Sequence, residues 1–351
     1  VGGDGDDIIT DLFGIDVILG GGGNDSIFIG GGAGDLVLAG SGKDYVNAGT
    51  DAKETFGGLG DDFVLGSSGD DGIQGNRGND WIEGRAGADG LNGDNPNPFD
   101  NDPAGGHDVL HGNDGNTGYV ADGGDDIMFA TVGADTFDGD LGFDWVIYKG
   151  HPTAVDADMN NGEFVPPVPG VVLDQWNLTE AVSGWTGNDI LRGMEQPQDA
   201  DPTFGAVGTG QRLTQEHLDL VPGLRALLST GAVAQATPAY ALPFLFGEPV
   251  LEGDFNNNIL LGGPGSDVVE PRAGRNFADG DAWLNTRIEW RPAGGPVESA
   301  DSLTAFDARL RSGAINPADL HIVREVLQLT NIATDTDVIV VPGLGADNPI
   351  V

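Results

Sequence analysis

Aspartate recurs along the first half of this chain at a spacing that could hold a row of metal ions. From Asp7 to Asp89 the steps are 9, 9, 10, 9, 18, 9, 9 and 9 residues, and after an interruption at 93–106 the same phase returns. Carboxylate oxygens are hard ligands that suit Ca²⁺. We therefore predict calcium ligands at Asp7, Asp16, Asp25, Asp35, Asp44, Asp62, Asp71, Asp80, Asp89, Asp108, Asp126, Asp135 and Asp144, and, in two later copies of the pattern, at Asp189 and Asp267.

The overall charge supports a metal role for these carboxylates. The 351 residues include 56 Asp+Glu against 15 Lys+Arg, which gives a net charge of −41 at pH 7. Such a charge opposes a compact fold unless cations bind, and it excludes nucleic acid as a partner. No stretch approaches the roughly 18 apolar residues that a membrane helix needs, so no membrane insertion is expected. The chain has no Cys, which excludes disulfides, thiolate zinc sites and Cys nucleophiles.

The aspartates must be positioned by a nine-residue unit, G-G-x-G-x-D-x-U-x, in which U is a large apolar residue. Clear copies are GGDGDDIIT at 2–10, GSSGDDGIQ at 66–74 and GNRGNDWIE at 75–83. Glycine permits the tight turn, and the short run after the aspartate forms a strand whose large residue points inward. Two such units make one coil, so that carboxylates and turn carbonyls of successive coils face one another and need a cation between them.

This unit resembles the calcium-binding RTX nonapeptide repeat. The resemblance covers residues 2–147 and implies an all-β fold, a parallel β-roll or RTX solenoid, with a smaller mixed α/β module and a short second roll in the C-terminal half. The alternative, a disordered Gly/Asp-rich linker, is expected only for the calcium-free state, in which charge is uncompensated and little apolar surface is available.

Alternate units lie on opposite edges of the roll, which predicts two rows of ligands. One edge carries an unbroken row of Asp7, Asp25, Asp44, Asp62 and Asp80. The other edge carries Asp16, Asp35, Asp71 and Asp89, but Lys53 replaces one aspartate between them, and Thr117 replaces a later one. We place the single inserted residue at Ile29. Because an ammonium group can neutralise carboxylates but cannot ligate Ca²⁺, we expect calcium along the first edge and a gap beside Lys53.

The rest of the chain divides into further segments. We predict the first roll at 1–149, a loop or capping excursion at 150–183, and a region at 184–351 that combines a second short RTX block (184–192 and 253–279) with helical segments. Residues 213–229 predict two short helices or one helix kinked at Pro222.

Two further helices are predicted near the C-terminus. Ser302 caps the first, which ends at Gly313, and Asn316-Pro317 begins the second, over 317–329.

One acidic loop outside the repeats leaves two interpretations open. Asp156, Asp158 and Asn160 are similar to the start of an EF-hand calcium loop, but Asn161 stands where that motif has Gly and Pro167 where it has Glu. The alternatives are a separate metal site and a solvated turn.

Several segments outside the repeats carry a second resemblance. GFDWVIYKG at 142–150 and SGAINPADLHIVREVL at 312–327 are similar to the RTX region of very large secreted bacterial proteins of the animal-type haem peroxidase family. The resemblance implies an extracellular or cell-surface protein, exported by type I secretion machinery, of which this chain is one part. The start at Val1, inside a repeat, also suggests a piece of a larger parent chain.

A catalytic site within this chain is not expected. There is no H-E-x-x-H motif and no G-x-S-x-G motif. His107 and His111 flank a strand, where surface positions or a loop contact are favoured over a metal pair. Trp81 and Trp145 occupy the outward seventh position of the repeat, where packing or capping is favoured over a sugar platform.

We predict a non-catalytic calcium-binding module that folds outside the cell and serves as a scaffold or spacer. The alternatives are a partner-binding segment of an adhesin or matrix protein, and a contribution to an oxidase or peroxidase site.

Overall fold

The chain folds mainly into short parallel strands. The computed structural model describes residues 1–94, 105–162, 174–194, 213, 215–230, 258–272, 276–328 and 336–340. The chain forms two compact units, Val1–Asp140 with Thr286–Val323, and Leu141–Asn285 with Arg324–Val351. Within the described ranges, no helix is long and apolar enough to cross a membrane.

The first unit contains two parallel sheets built from alternate strands, which are numbered in chain order. Sheet A runs in the order β1 (Gly3–Asp4), β3 (Val17–Gly22), β5 (Asp35–Ser41), β7 (Lys53–Leu59), β9 (Gly72–Arg77), β11 (Gly90–Asn92), β13 (Gly118–Val120) and β15 (Thr136–Asp138). Sheet B runs in the order β2 (Ile8–Thr10), β4 (Ser26–Phe28), β6 (Tyr45–Asn47), β8 (Phe63–Leu65), β10 (Trp81–Ala86), β12 (Val109–Asp114) and β14 (Ile127–Phe129). Each coil contributes one strand to each sheet, which confirms the predicted β-roll.

Strand pairing confirms two nine-residue units per coil. Ile73 pairs with Leu91, 18 residues on, and Trp81 pairs with Val109, 28 residues on, because ten extra residues intervene. The position predicted for the single insertion, Ile29, is wrong. The pairs that locate it are Phe13 with Gly31, Val17 with Leu36, Phe28 with Asn47 and Asp35 with Lys53. The extra residue therefore lies in the turn at 32–34, where it lengthens a loop without interrupting a strand.

The large apolar residue at the eighth position of each unit points into the roll, as predicted. At most 5% of the surface is exposed at Ile18, Ile27, Val37, Val46, Val64, Ile73, Ile82, Leu91, Leu110, Met128, Phe137 and Val146. Burying one such side chain stabilises the fold by about 1.5–3 kcal/mol, so the ladder is the main apolar contribution to the roll.

The outer face of sheet B is covered, which the sequence analysis did not anticipate. Seventh-position residues on this sheet, such as Tyr45, Phe63 and Trp81, are fully buried. A segment that begins at Ser302 lies over them, with a 3₁₀ turn at Leu303–Ala305 followed by α3 at Asp307–Arg311. The prediction that Trp81 faces outward to solvent is therefore wrong, because a distant part of the chain packs against that face.

The second helix predicted near the C-terminus is a strand. After a 3₁₀ turn at Pro317–Asp319, β26 (Leu320–Gln328) joins a sheet of order β25 (Glu298–Ala300), β24 (Ala282–Trp290), β26. The predicted helix over 317–329 is wrong because the neighbouring strand supplies backbone partners, and β-branched residues such as Ile322 and Val323 suit that pairing. The Ser302 cap is confirmed, since its side chain accepts a hydrogen bond from the N–H of Thr304.

The second unit also contains parallel strands in coils. One series runs through β16 (Trp145–Ile147), β19 (Ala181–Ser183), β21 (Ile259–Leu261) and β23 (Phe277–Asp279). Another sheet has the order β17 (Asp156–Asp158), β20 (Ile190–Arg192), β22 (Val268–Glu270) and β27 (Val338–Ile339), and β18 is Gln175–Asn177. The loop predicted at 150–183 thus contains three strands.

Two short helices in the second unit cover part of its roll. They are α1 (Gln215–Leu220) and α2 (Leu224–Thr230), which confirms the prediction of a break at Pro222. Trp145 is fully buried, and its indole N–H donates to Nε2 of His217 on α1 at 3.1 Å. The outward, solvent-facing position predicted for Trp145 is therefore also wrong.

Candidate metal centre

The aspartates of the first edge form a continuous hydrogen-bonded column, which we call column 1. The backbone N–H of each residue donates to Oδ1 of the aspartate in the next coil. The donor–acceptor distances are 2.9 Å from Asp7 to Asp25, 2.7 Å from Asp25 to Asp44, 2.8 Å from Asp44 to Asp62, 2.6 Å from Asp62 to Asp80, 2.7 Å from Asp80 to Asp108 and 2.6 Å from Asp108 to Asp126. Oδ1 is therefore used to hold neighbouring coils together.

The second carboxylate oxygen has a different environment. The Oδ2 atoms of five column members are buried and accept no hydrogen bond from any described residue: Asp25, Asp44, Asp62, Asp80 and Asp108. All five residues have no exposed surface. A buried anionic oxygen without a partner costs several kcal/mol, and a bound cation removes that cost. The column fits a row of cations.

Glycine keeps the space beside Oδ2 open. A Cβ built on Gly57 would lie 2.6 Å from Oδ2 of Asp62 and 2.7 Å from the carbonyl oxygen of Gly75 in the next coil. Gly75 is placed in the same way against Asp80 Oδ2 and the carbonyl of Gly93. One carboxylate and one carbonyl from successive coils thus approach the same point, and both are oxygen ligands of the kind that Ca²⁺ takes.

Backbone oxygens must supply much of any coordination. Among the described residues, no group of three or more acidic or histidine side chains is placed to hold a metal ion. A site in column 1 would instead combine the aspartates of adjacent coils with turn carbonyls, as the repeat pattern predicts.

The electrostatics of column 1 also favour a cation. Burial raises the pKa of Asp44 to about 7, and the neighbouring charge of Asp25 adds to the rise. Burial, together with the charge of Asp80, raises the pKa of Asp62 well above its ordinary value, and burial does the same at Asp108. The carboxylates thus disfavour one another's ionisation, and divalent cations between the coils would reverse this effect.

The second edge forms column 2, with Lys53 inside it. The N–H of Asp16 donates to Oδ1 of Asp35 at 2.8 Å, that of Lys53 to Oδ1 of Asp71 at 2.7 Å, and that of Asp71 to Oδ1 of Asp89 at 2.9 Å. The Lys53 ammonium lies 3.1 Å from Oδ2 of Asp35. The stacking of Asp35, Lys53 and Asp71 is therefore as the spacing predicts.

Hydroxyl residues occupy the turn beside two aspartates of the second edge. The N–H of Ser67 donates to Oδ2 of Asp71 at 2.6 Å, and its hydroxyl donates to Oδ1 at 3.0 Å. Thr131 makes the same two bonds to Asp135, at 2.7 and 3.0 Å. These two carboxylates already have local donors, unlike those of column 1.

A family model of the RTX calcium-binding nonapeptide repeat matches the chain in four places, at residues 1–36, 56–91, 119–146 and 250–278. The chain carries RTX repeats. These repeats imply calcium binding, and the stacked carboxylates described above lie within them or between them. Searches of curated proteins and of solved structures returned no significant match. Lys53 falls between the first two matched RTX segments.

RTX-like stacking continues in the second unit. The N–H of Val155 donates to Oδ1 of Asp189 at 2.9 Å, that of Asp189 to Oδ1 of Asp267 at 2.7 Å, and that of Asp267 to Oδ1 of Asp337 at 2.9 Å. Asp337 was missed by the sequence analysis, although Asp337-Val338-Ile339 matches the second half of the RTX unit.

The other edge of that unit carries less charge. The N–H of Asp144 donates to Oε2 of Glu180 at 2.9 Å, so Glu180 holds an aspartate position that the sequence analysis also missed. The N–H of Asn258 donates to Oδ1 of Asn276 at 2.8 Å. Asparagine thus preserves the bond between coils without a negative charge.

The loop similar to an EF-hand forms ion pairs. Asp158 accepts two bonds from Arg272, at 2.7 and 2.8 Å, and Asp156 pairs with Arg192. Burial raises the pKa of Asp158, but Arg272 outweighs it and holds the pKa below its ordinary value. These contacts favour a structural role over a separate metal site. Pro167 and most of the repeat at 253–261 lie outside the described residues.

The two histidines of the first unit make packing contacts. Nδ1 of His107 accepts from the N–H of Asp125 at 2.8 Å, and the His111 ring stacks on Phe129 at 4.3 Å between centroids. The structure therefore supports a loop contact for His107 and a packing position for His111.

Proposed function

We propose that this chain is a non-catalytic module that folds when it binds several calcium ions and then acts as a rigid scaffold or spacer. The observation that carries the proposal is the row of buried Oδ2 atoms in column 1, each beside a turn that only glycine leaves open. The finer assignment that follows is one ion between each pair of adjacent aspartates of column 1, with further ions at Asp89 and along Asp189, Asp267 and Asp337.

Calcium binding would be coupled to folding. A ligand that binds only the folded chain stabilises it by mass action, and the unfolded chain has no stacked coils to offer. Extracellular calcium modules commonly have Kd values of about 10⁻⁴ to 10⁻³ M. We propose that the module stays unfolded where calcium is scarce, which suits export by type I secretion machinery, and folds outside the cell.

The parent protein is a separate proposal that rests on sequence resemblance alone. The segments at 142–150 and 312–327 are similar to those of secreted animal-type haem peroxidases that contain RTX regions. We propose such a parent, in which this chain supplies the calcium-dependent scaffold and another part supplies the haem chemistry. Spectra of the full-length protein would test this, since a haem parent shows a Soret band.

A calcium titration of the calcium-free protein tests the folding proposal. We expect the far-UV circular dichroism of the 351-residue chain to change from a disordered to a β spectrum as calcium reaches the millimolar range. Magnesium at the same concentration is the matched control, because its smaller ion demands near-ideal octahedral geometry. Identical β spectra in EDTA and in calcium would contradict the proposal.

A further inference from the structure

Lys53 is a buried cation at a position where the repeat otherwise places an aspartate. Its side chain and that of Asp35 have no exposed surface, and their charged atoms are 3.1 Å apart. The same ammonium donates to the carbonyl oxygen of Gly32 in the preceding coil. It therefore contacts a carboxylate and a turn carbonyl together, which are the two kinds of ligand that face a cation site in column 1.

The backbone of Lys53 extends this contact into the following coil. Its N–H donates to Oδ1 of Asp71 at 2.7 Å, and Asp71 is also held by the N–H and hydroxyl of Ser67. Gly32, Lys53 and Asp71 belong to three successive coils of the first unit. We call this set, with Asp35 and Ser67, the Lys53 seam.

The seam is charge-compensated without any metal, in contrast to column 1. A buried ion pair repays its desolvation only when further hydrogen bonds satisfy both groups, and here the carbonyl of Gly32 and the N–H of Asp16 supply them. At Asp44 no cationic side chain is hydrogen-bonded to the carboxylate, and Oδ2 has no described partner. The two edges of one roll thus differ in what they need from solution.

We propose that Lys53 is a built-in substitute for calcium, which keeps three coils joined when calcium is absent and makes the stretch from about residue 30 to 73 the starting point of folding. This goes beyond the calcium-coupled function proposed above, because it assigns a part of the roll that does not wait for the ion. The tethered ammonium also excludes calcium from this position, since two cations would repel each other at that distance.

Hydrogen exchange of the 351-residue chain in EDTA tests the seam directly. Exchange reports local opening segment by segment, so a surviving seam gives slow amides within about residues 30–73 while later coils exchange freely. Lys53→Met removes the charge and keeps most of the side-chain length. We expect it to speed exchange in that stretch by about tenfold or more, in line with the loss of a buried pair.

Lys43→Met is the matched control. Lys43 also forms an ion pair, with Asp61 at 3.3 Å, but that pair is partly exposed. We expect little change in exchange within 30–73 for this variant, because exposed pairs contribute little. Equal exchange in wild type and Lys53→Met, or a wild type without any slow amides in this stretch, would overturn the proposal.

A second variant tests the exclusion of calcium. Lys53→Asp restores the aspartate of the repeat, so we expect it to bind at least one more calcium ion per chain by equilibrium dialysis and to lose slow exchange in EDTA. An unchanged calcium number would refute the substitution of Lys53 for calcium. If calcium failed to fold any form of the chain, the proposed function would fail, but the comparison in EDTA would still decide the role of Lys53.

Discussion

The indole N–H of Trp81 donates to Oε1 of Glu83, two residues further along the same strand, at 2.8 Å. The same oxygen accepts from the N–H of Leu303 at 2.6 Å, and Oε2 accepts from the hydroxyl of Ser302 at 2.7 Å. Burial raises the pKa of Glu83, and these donors oppose that rise. Glu83 therefore joins the outer face of sheet B to the segment that covers it.

Glu83→Ala should weaken this junction. It leaves three buried donors without their acceptor, so we expect a loss on the order of 2–4 kcal/mol in the free energy of unfolding, measured by denaturant titration in saturating calcium. Glu54→Ala is the control, because Glu54 is exposed on sheet A. Similar losses for the two variants would show that Glu83 has no special part in docking.

Trp81→Ser should be as damaging as a change inside the roll. Trp81 is fully buried, so we expect a loss of about 3–5 kcal/mol, comparable with Ile82→Asp in the apolar ladder. Val17→Ser changes the equivalent seventh position on sheet A, where Val17 is 62% exposed, and should alter the free energy of unfolding by no more than about 0.5 kcal/mol. Thermal unfolding in calcium would measure all three, and a mild Trp81→Ser would argue against the covered face.

Asp62→Asn should have opposite effects with and without calcium. Asparagine can still accept the bond from the N–H of Asp44, as Asn276 does from Asn258, but it removes a buried charge. In EDTA we expect a gain on the order of 1–3 kcal/mol, and in calcium a loss together with fewer bound ions. Melting temperatures and equilibrium dialysis would measure these changes.

Asp61→Asn is the control for that experiment. Asp61 precedes Asp62 in sequence, but its side chain is 42% exposed and pairs with Lys43. We expect the number of bound calcium ions to stay the same for Asp61→Asn. A change of the same sign in EDTA and in calcium for Asp62→Asn would contradict the metal role of column 1.

The calcium-free protein should gain structure on mild acidification. Burial raises the pKa of Asp44 to about 7 and that of Asp89 to about 6, above the ordinary value of 3.8. Between about pH 4 and 7 the folded chain therefore holds more protons than the unfolded chain, and its stability falls as the pH rises through this window. Circular dichroism of calcium-depleted protein should show more β structure at pH 5 than at pH 8.

The calcium-loaded protein should respond in the reverse direction. Calcium needs the ionised carboxylates, so protons compete with it and its apparent affinity should fall below about pH 7. Calcium titrations at pH 6 and pH 8 would measure this difference. An affinity independent of pH would mean that Asp44 and Asp89 do not bind the ion.

Local spacing was enough to predict the coil, the strand direction of the large apolar residues and the two columns. A strict nine-residue period determines which side chain faces inward, and every coil repeats the same short-range choice. Lys53 was placed between Asp35 and Asp71 for this reason, before any contact was known. The Ser302 cap and the break at Pro222 were predictable because they depend on a few adjacent residues.

Long-range packing decided the remainder. Trp81 occupies the same repeat position as Val17, yet one is buried and the other exposed, because the segment from Ser302 covers only sheet B. Residues 320–328 form a strand because β24 lies beside them, and Asp337 joins Asp267 across 70 residues of chain. A repeat determines the surface that each coil presents. Only the folded chain determines which distant segment packs on that surface, because the partner lies outside any local window of sequence.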